Sequence, residues 1–303
     1  MSSHAGGRDL QAELLVVVCV ILWAANYSVS KFAIGRLDPL VFNALRYLVA
    51  AACLWGFFSA AGRWTPVSRA DRPHLFRAGF IANFVYQITF IIGLTLTSAG
   101  NAAILLATAP LWTVVIHARV SRKAIPDAVW FAMALSLAGI AMIVLGSGKR
   151  VEFGSSAMVG DGICLVAAVL WAVTTNLQKP LLGRYSPLQV ALVMVTIGAV
   201  GLTAVALPFT GRVDWRGVEW PFFAAAAASG ALSIAAGNVL WAIGVKRLGP
   251  DETANFGNLI PVVAFVISYG ILGERFEMLQ VVGACVTVAG VWLARRAARK
   301  RST

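Results

Sequence analysis

The sequence predicts an all-α integral membrane protein, with about ten transmembrane helices arranged as two inverted five-helix repeats around a central cavity. Three observations lead to this prediction: the composition, the spacing of long apolar runs, and an internal repeat. Of the 303 residues, 59% are apolar and 13% are charged, and the mean hydropathy is +0.79. Soluble domains carry about 25% charged residues. Most of this chain is therefore expected to face lipid or other buried helices.

The apolar runs have the length of membrane-spanning helices. Each holds roughly 17 to 25 residues, enough for an α-helix to cross a hydrocarbon core about 30 Å thick. Prolines such as Pro39, Pro73 and Pro187 stand between the runs and mark the turns. The ten predicted spans are 12–34, 39–60, 75–94, 100–118, 126–146, 159–178, 187–209, 220–244, 253–272 and 278–294.

An internal repeat divides the chain into a first unit, residues 1–150, and a second, residues 151–303. The segment 22–40 recurs without a gap as 170–188, sharing Leu-Trp-Ala, a later Lys, Gly-Arg and Pro-Leu. A second ungapped match joins 101–139 to 252–290 and aligns Pro110 with Pro261. Five spans are an odd number, so the second unit would enter the membrane from the opposite side. The sequence therefore predicts an inverted-topology repeat.

The positive charges predict the orientation. The net charge is +12, but the Lys and Arg residues lie mostly in short loops, which favours a topology signal over nucleic-acid binding. With the amino terminus inside, only Arg36, Lys149, Arg150, Arg212, Arg216 and Arg275 fall outside. The positive-inside rule then places both termini in the cytoplasm, in the inner (cytoplasmic) membrane.

Polar and aromatic side chains inside the spans are the candidate site residues, because such groups usually face a bundle interior or a water path. They cluster in spans one, three and eight, with further members in spans two, four, six and nine. The predicted substrate-binding residues are Trp23, Asn26, Tyr27, Arg46, Tyr86, Gln87, Phe90, Asn101, Trp112, Trp171, Thr174, Thr175, Asn238, Trp241 and Asn258.

Structural roles compete with these assignments. Asn and Gln in membranes often join helices by hydrogen bonds, and Lys31 and Lys179 stand at span ends where they can extend to the interface. Arg46 lies about 10 Å into the second span at ~1.5 Å per residue. It is either a partner for a substrate carboxylate or a structural arginine bonded to helix ends.

The same pattern excludes several classes of function. No Asp or Glu lies in the middle of a span, so no buried carboxylate relay for protons is visible, and passive transport is favoured over proton coupling. No catalytic or metal-binding motif appears, and the four cysteines fall inside apolar runs without ligand spacing. The sequence therefore predicts no enzyme activity, no cofactor and no metal.

These features together resemble the EamA family of drug/metabolite transporters. The resemblance covers essentially the whole chain: two five-span halves, a Leu-Trp-Ala opening, an Arg in span two, Pro110 and Pro261, and the pair Gly273-Glu274 before the last span. Arg122-Lys123 replaces that Gly-Glu in the first half. The resemblance implies inner-membrane export of amino acids, metabolites or drugs through a cavity between spans one to four and six to nine. The aromatic-rich polar faces are similar to those of the YddG-type aromatic amino-acid exporters.

The expected function is export of small amphipathic metabolites, above all amino acids with aromatic ones favoured, by alternating access. Two alternatives remain. The Trp and Tyr faces would suit efflux of aromatic or quaternary cations through cation–π contact, although Arg46 disfavours this. A nonselective metabolite channel is the other. The expected partners are a small-molecule substrate and the lipid bilayer, with no nucleic acid, and the oligomeric state stays open.

Overall fold

The computed structural model describes residues 9–34, 37–61, 63–97, 99–146, 155–272 and 277–299, and all regular structure in these residues is helical. In the first half the helices are α1 (Leu10–Ile34), α2 (Pro39–Ala61), α3 (Arg72–Phe80), α4 (Tyr86–Leu96), α5 (Ala99–Leu106), α6 (Ala109–Ser121) and α7 (Asp127–Gly146). In the second half they are α8 (Ser155–Leu182), α9 (Pro187–Ala206), α10 (Trp220–Ala228), α11 (Gly237–Arg247), α12 (Pro250–Gly257), α13 (Ile260–Leu272) and α14 (Met278–Arg299).

Eight helical segments among the described residues are long and apolar enough to cross a membrane, and 10–26 forms a shorter apolar helix. The eight are Pro39–Ala60, Arg72–Gly93, Ala102–Ser121, Asp127–Gly146, Met158–Leu182, Pro187–Arg212, Trp220–Arg247 and Met278–Ala297. The chain is therefore an all-helical, multi-pass membrane protein, as the composition predicts.

Helix starts follow the turn residues of the sequence. Asp38 accepts hydrogen bonds from the backbone N–H groups of Leu40 and Val41, at 2.9 and 3.3 Å, where Pro39 opens α2. Ser186 accepts from Gln189 N at 3.1 Å where Pro187 opens α9. These side chains satisfy donors that the first turn of a helix leaves free, and proline lacks the N–H that would be unpaired there.

Corresponding spans of the two halves are interrupted in corresponding ways. A π-helical segment, Ile81–Val85, joins α3 to α4, and another, Ser229–Ala236, joins α10 to α11. A turn just before Pro110 separates α5 from α6, and a turn just before Pro261 separates α12 from α13. Proline accounts for the breaks because it removes a donor and clashes with the preceding turn. The π segments change the side-chain register inside their spans.

The packing places α1, α4, α8 and α11 around one centre. α1 packs against α11, α4 against α8, and α8 against α11. α7 and α14 pack against each other along their lengths. Glycine makes that contact close, because a Cβ at Gly139 would lie 2.5 Å from Thr287 N and a Cβ at Gly283 would lie 2.6 Å from Gly139 O. The fifth and tenth predicted spans thus pack closely against each other.

Candidate functional site

Three tryptophan rings, from α1, α8 and α11, form the centre of the candidate site. The ring centroids of Trp23 and Trp171 lie 5.2 Å apart and meet edge to face at 77°. The Trp241 ring lies 5.0 Å from that of Trp23 and 5.6 Å from that of Trp171. Each ring contacts the other two at a separation where aromatic pairs attract. Trp23 and Trp171 are half-buried, whereas Trp241 is 2% exposed. We call these residues the tryptophan cluster.

Two more predicted residues extend the tryptophan cluster onto α4. The Tyr86 ring lies 5.2 Å from that of Trp171, and Phe90 stacks on Tyr86 with centroids 6.0 Å apart. Side chains from both halves of the chain therefore meet in one aromatic surface. Such a surface suits an apolar or aromatic group of a ligand, because it offers polarisable faces and excludes water.

The contact between α1 and α11 requires a glycine. Trp23 Nε1 donates a hydrogen bond of 2.9 Å to the carbonyl oxygen of Ser233, in the π segment that precedes α11. A Cβ at Gly237 would lie 2.5 Å from the same Nε1 atom. A larger residue at position 237 would therefore displace the Trp23 indole, which sets the position of the tryptophan cluster.

A chain of polar side chains links α2 to α4 and to the π segment before it. Arg46 Nη1 donates to Asn43 Oδ1 at 3.4 Å, and Asn43 Nδ2 donates to Gln87 Oε1 at 3.5 Å. Gln87 Nε2 donates to the Tyr47 hydroxyl at 3.0 Å, and that hydroxyl donates to Asn83 Oδ1 at 3.1 Å. The first two bonds are long, so the arginine end of this network is held loosely.

Part of the Arg46 guanidinium has no hydrogen-bond partner in the described structure. Its Cζ atom sits 5.3 Å from the centre of the Phe42 ring, and its Nε is buried without a hydrogen-bond partner. Within the described part of the chain, no carboxylate pairs with Arg46. The hydrogen-bond network of Arg46 includes Gln87, the residue after Tyr86 in α4. A half-buried cation with a free donor is able to bind an anionic ligand group.

Two predicted asparagines contact the π segment or α11. The Ser229 hydroxyl donates to Asn26 Oδ1, which joins α1 to the start of the π segment. Asn238 Nδ2 donates to the carbonyl oxygen of Ile234 at 2.8 Å, within its own helical span. Asn26 and Trp23 thus contact the same π segment one turn apart.

Other predicted residues have their polar groups satisfied inside their own helices. The Thr174 and Thr175 hydroxyls, both 1% exposed, donate to backbone carbonyls four residues earlier, at 2.9 and 3.0 Å. Trp112 Nε1 donates to Thr108 Oγ1 at 3.2 Å, and among the described residues its ring does not contact the tryptophan cluster. These three side chains need no ligand to satisfy their donors.

Besides Arg46 Nε, two further buried polar atoms of predicted site residues have no partner in the described structure. Trp241 Nε1 is an unpaired donor in α11, and Asn258 Oδ1 is an unpaired acceptor in the turn between α12 and α13. Asn258 is 3% exposed. An unsatisfied buried polar group costs ~1–3 kcal/mol, so groups of this kind favour a ligand or a water that completes them.

The side chains of Tyr27, Lys31 and Asn101 lie outside the described residues, so their assignments stay predictions. Lys179, by contrast, is placed. Its Nζ donates to the carbonyl oxygens of Val245 and Lys246, both at 3.0 Å, at the carboxyl end of α11. A lysine there satisfies free carbonyls and complements the helix dipole. Lys179 therefore joins α8 to α11, a role beyond the interfacial one considered from the sequence.

Hydrogen bonds of Asp71 and Gln189 join the 63–71 loop to α9 and to the turn before it, and we call this group of contacts the polar latch. Asp71 accepts hydrogen bonds from the Tyr185 hydroxyl at 2.8 Å, from Arg184 Nη1 at 2.5 Å and from Ser68 Oγ at 2.8 Å. These donors, Tyr185 first, lower the pKa of the Asp71 carboxyl to about 2. Gln189 pairs with the backbone of Thr65 through bonds of 2.7 and 3.0 Å. The loop is thereby tied to α9 and to the turn before it.

Sequence reasoning missed several residues of the centre. Asn43 and Tyr47 are 1% exposed: Asn43 connects Arg46 to Gln87, and Tyr47 connects Gln87 to Asn83. Ser229 and Ser233 contact α1 through Asn26 and Trp23. The signal for Asn43 was its spacing of three residues from Arg46, which places both on one helix face. The serines had no signal, because their neighbours come from a helix about 200 residues away in sequence.

A bundle of apolar helices around a buried aromatic and polar centre is typical of a multi-pass membrane protein. Residues 10–145 and 158–296 each match the EamA-like transporter family. The two matches cover most of the chain, and the protein belongs to this family. It is therefore a membrane transporter, and the family resemblance read from the sequence is confirmed.

Relatives extend over nearly the full length. The uncharacterized transporter YyaM of Bacillus subtilis is 24% identical over 285 residues, covering 94% of this chain and 93% of the relative. A probable terminal-alkyne amino-acid exporter of Streptantibioticus cattleyicolor is 29% identical over 283 residues, covering 93% and 92%. A protein of known crystal structure shares the fold with a TM-score of 0.80 at 17% identity, over 98% of this chain and 100% of that one.

Proposed function

We propose that this transporter exports amino acids, aromatic ones favoured, from the cytoplasm across the inner membrane. One observation carries the proposal: α4 brings Tyr86 and Phe90 to the tryptophan cluster, and its Gln87 belongs to a polar network that ends in the uncommitted guanidinium of Arg46. An aromatic amino acid has a ring for the first part and a carboxylate for the second. The amino-acid exporter among the relatives supports the same substrate class.

We further propose that the chain forms ten spans in two inverted repeats, with units 1–150 and 151–303 and both termini cytoplasmic. Two separate family matches, one per unit, support the repeat. The paired π segments and paired proline breaks support it independently. A site between two such halves opens to either side as they exchange conformations. The polar latch would then close the cytoplasmic side.

Of the remaining predicted residues, Asn26, Asn238, Thr174 and Thr175 would shape the cavity wall next to the rings. Tyr27, Asn101 and Trp112 stay candidates from the sequence alone. The unpaired Asn258 Oδ1 offers an acceptor for the substrate ammonium, opposite in kind to the donors of Arg46. Efflux of aromatic or quaternary cations is the second candidate. The aromatic surface would bind such cations through cation–π contacts, but the positive charge of Arg46 would repel them.

Counterflow in proteoliposomes tests the proposal. Vesicles containing the purified protein are loaded with unlabelled phenylalanine or with phenethylamine, the same molecule without the carboxylate, and entry of the same compound in labelled form is measured. We expect saturable, counterflow-stimulated entry only with the amino acid inside. Stimulation by the amine alone would support the cation-efflux alternative. A linear, unsaturable flux of both compounds would indicate a channel and contradict a carrier.

A further inference from the structure

A basic pocket lies where α6 ends and α7 begins, apart from the candidate transport site. It has a volume of about 480 Å³. Arg119, Arg122 and Lys123 supply its charge, while Val115, Ile125 and Trp130 supply apolar wall. The loop between α6 and α7 belongs to the face that the positive-inside count assigns to the cytoplasm.

The three cations of the basic pocket are free to bind an anion. Among the described residues, no Asp or Glu pairs with Arg119, Arg122 or Lys123. The nearest ion pair on α6 joins His117 to Asp251 of α12, at 2.7 Å. Three like charges around one cavity repel each other, and an anionic ligand would remove that repulsion.

The surroundings of the basic pocket are those of a lipid-facing surface. Val120 is 76% exposed, Phe131 64% and Trp130 43%, although all three belong to or flank membrane-spanning segments. Tryptophan is enriched at the level of lipid headgroups, where its ring is apolar and its N–H meets water. Because apolar residues surround the cations of the basic pocket, we expect the pocket to bind a lipid phosphate, which carries acyl chains, better than a free phosphate ion.

The basic pocket has an unusual backbone conformation at Arg122, and the sequence repeat gives two of its cations no counterpart in the second half. Arg122 has φ +53°, the one non-glycine residue with positive φ in the described chain. Glycine adopts this left-handed helix end with least strain. The internal repeat aligns Arg122 and Lys123 with Gly273 and Glu274, so the second half has the favoured glycine and an acid in their place. The first half keeps two cations at a cost in backbone strain.

We propose that the basic pocket is a binding site for the headgroup of an anionic phospholipid of the cytoplasmic leaflet. Arg119, Arg122 and Lys123 would hold the phosphate, and Trp130 with the exposed apolar residues would contact the acyl chains. Each Lys or Arg near an anionic membrane surface is worth ~1 kcal/mol, which corresponds to on the order of fivefold in affinity. The site would attach the end of α6, the helix that carries Pro110, to the membrane interface.

Lipid titration of the purified full-length protein tests the site. Phosphatidylglycerol, phosphatidylcholine and inorganic phosphate are each added, with binding followed by native mass spectrometry and stability by thermal unfolding. We expect phosphatidylglycerol to bind and to raise the Tm, and the other two to have little effect. An equal rise with phosphatidylcholine would show that charge is irrelevant, and an equal rise with inorganic phosphate would show a free-anion site. Either result overturns the proposal.

Arg122→Gly is the decisive variant, because it should raise the Tm without lipid and lower the affinity for phosphatidylglycerol. Glycine relieves the positive φ, so the Tm without lipid should rise, while the lost charge should weaken phosphatidylglycerol binding on the order of fivefold. Arg69→Gly, which removes an exposed cation from the 63–71 loop on the same face, is the matched control and should leave the affinity unchanged. Equal weakening in both variants, or undiminished binding by Arg122→Gly, would overturn the assignment.

Discussion

At the scale of single residues, carboxylate recognition in the proposed site depends on Arg46. Its guanidinium has one long hydrogen bond, to Asn43, and a ring contact with Phe42. Its charge therefore remains available inside the bundle. Arginine binds a carboxylate through two parallel hydrogen bonds, whereas lysine presents a single point charge.

We predict that Arg46→Gln lowers transport of phenylalanine relative to phenethylamine by on the order of tenfold or more, since a hydrogen bond to a charged group is worth ~1.5–3 kcal/mol. Arg46→Lys keeps the charge but loses the paired geometry, so its flux ratio should fall less. Uptake of both compounds into proteoliposomes measures the ratio. If the ratio stays at the wild-type value while thermal stability drops, Arg46 has a structural role and the carboxylate assignment is wrong.

The tryptophan cluster gives a second prediction at this scale. Trp171→Ala should reduce transport strongly, because Trp171 contacts Trp23, Trp241 and Tyr86 at once. Trp215→Ala is the control, since Trp215 is 42% exposed and bonds to the backbone of its own loop. Initial rates are compared at equal amounts of reconstituted protein. Equal losses in the two variants would assign both residues to anchoring or packing.

At the scale of helices, close approach and capping position the site. We predict that Gly237→Ala destabilises the protein by ~1–3 kcal/mol, the usual cost of overpacking, because the new Cβ would meet Trp23 Nε1 at 2.5 Å. Gly162→Ala in α8 is the matched control. A Cβ there meets nothing within 4 Å, so its stability should be unchanged or slightly higher. Thermal unfolding in detergent compares the pair, and a harmless Gly237→Ala would show that α1 and α11 do not depend on this contact.

The polar latch predicts that the stability of the fold decreases at acid pH. The Asp71 pKa is about 2 in the folded protein, below the ordinary value of ~3.9 for the unfolded chain. The charged carboxylate therefore contributes stability that is fully present above about pH 4 and is lost as the pH falls toward about 2. Thermal unfolding of the wild type and Asp71→Asn should differ at pH 7 and converge at low pH.

Tyr185→Phe provides the control for the latch. It removes the donor that lowers the Asp71 pKa most, so the acid-induced loss of stability should shift to higher pH. A constant difference between the wild type and Asp71→Asn from pH 7 down to pH 3 would mean that the Asp71 charge does not stabilise the fold. Between pH 5 and pH 8 this contribution is flat, so we attribute no pH dependence of transport to it.

At the scale of the whole molecule, the proposed inverted repeat predicts which loops lie on the same side of the membrane. In a cysteine-free background, Arg69→Cys should react with an impermeant maleimide only from the cytoplasm, and Arg216→Cys only from outside. The positive charge of the 63–71 loop and the intervening spans set this alternation. Labelling of intact cells and of inverted vesicles measures it. Reaction of both cysteines from one side would contradict the inverted repeat.

The sequence by itself determined the class of protein and the main divisions of the helices. The length and apolarity of each run, and the prolines that open or break helices such as α2 and α6, act within a few residues. These features can therefore be recognised in a single sequence. The proposed repeat can be recognised too, because the sequence is compared with itself. These local properties also placed Trp23, Trp171 and Trp241 on the list of candidate residues.

Only the tertiary structure decided how these residues meet. The bond from Trp23 to Ser233 joins positions 210 residues apart, and the bonds from Lys179 reach α11 across 66 and 67 residues. Hydrogen bonds through Asn43 and Gln87 connect Arg46 in α2 to α4, the helix that carries Tyr86 and Phe90. Such contacts depend on helix packing, on the π segments that change side-chain register, and on the space left by Gly237. None of these has a signature within one apolar run, since the physical cause is a neighbour distant in sequence.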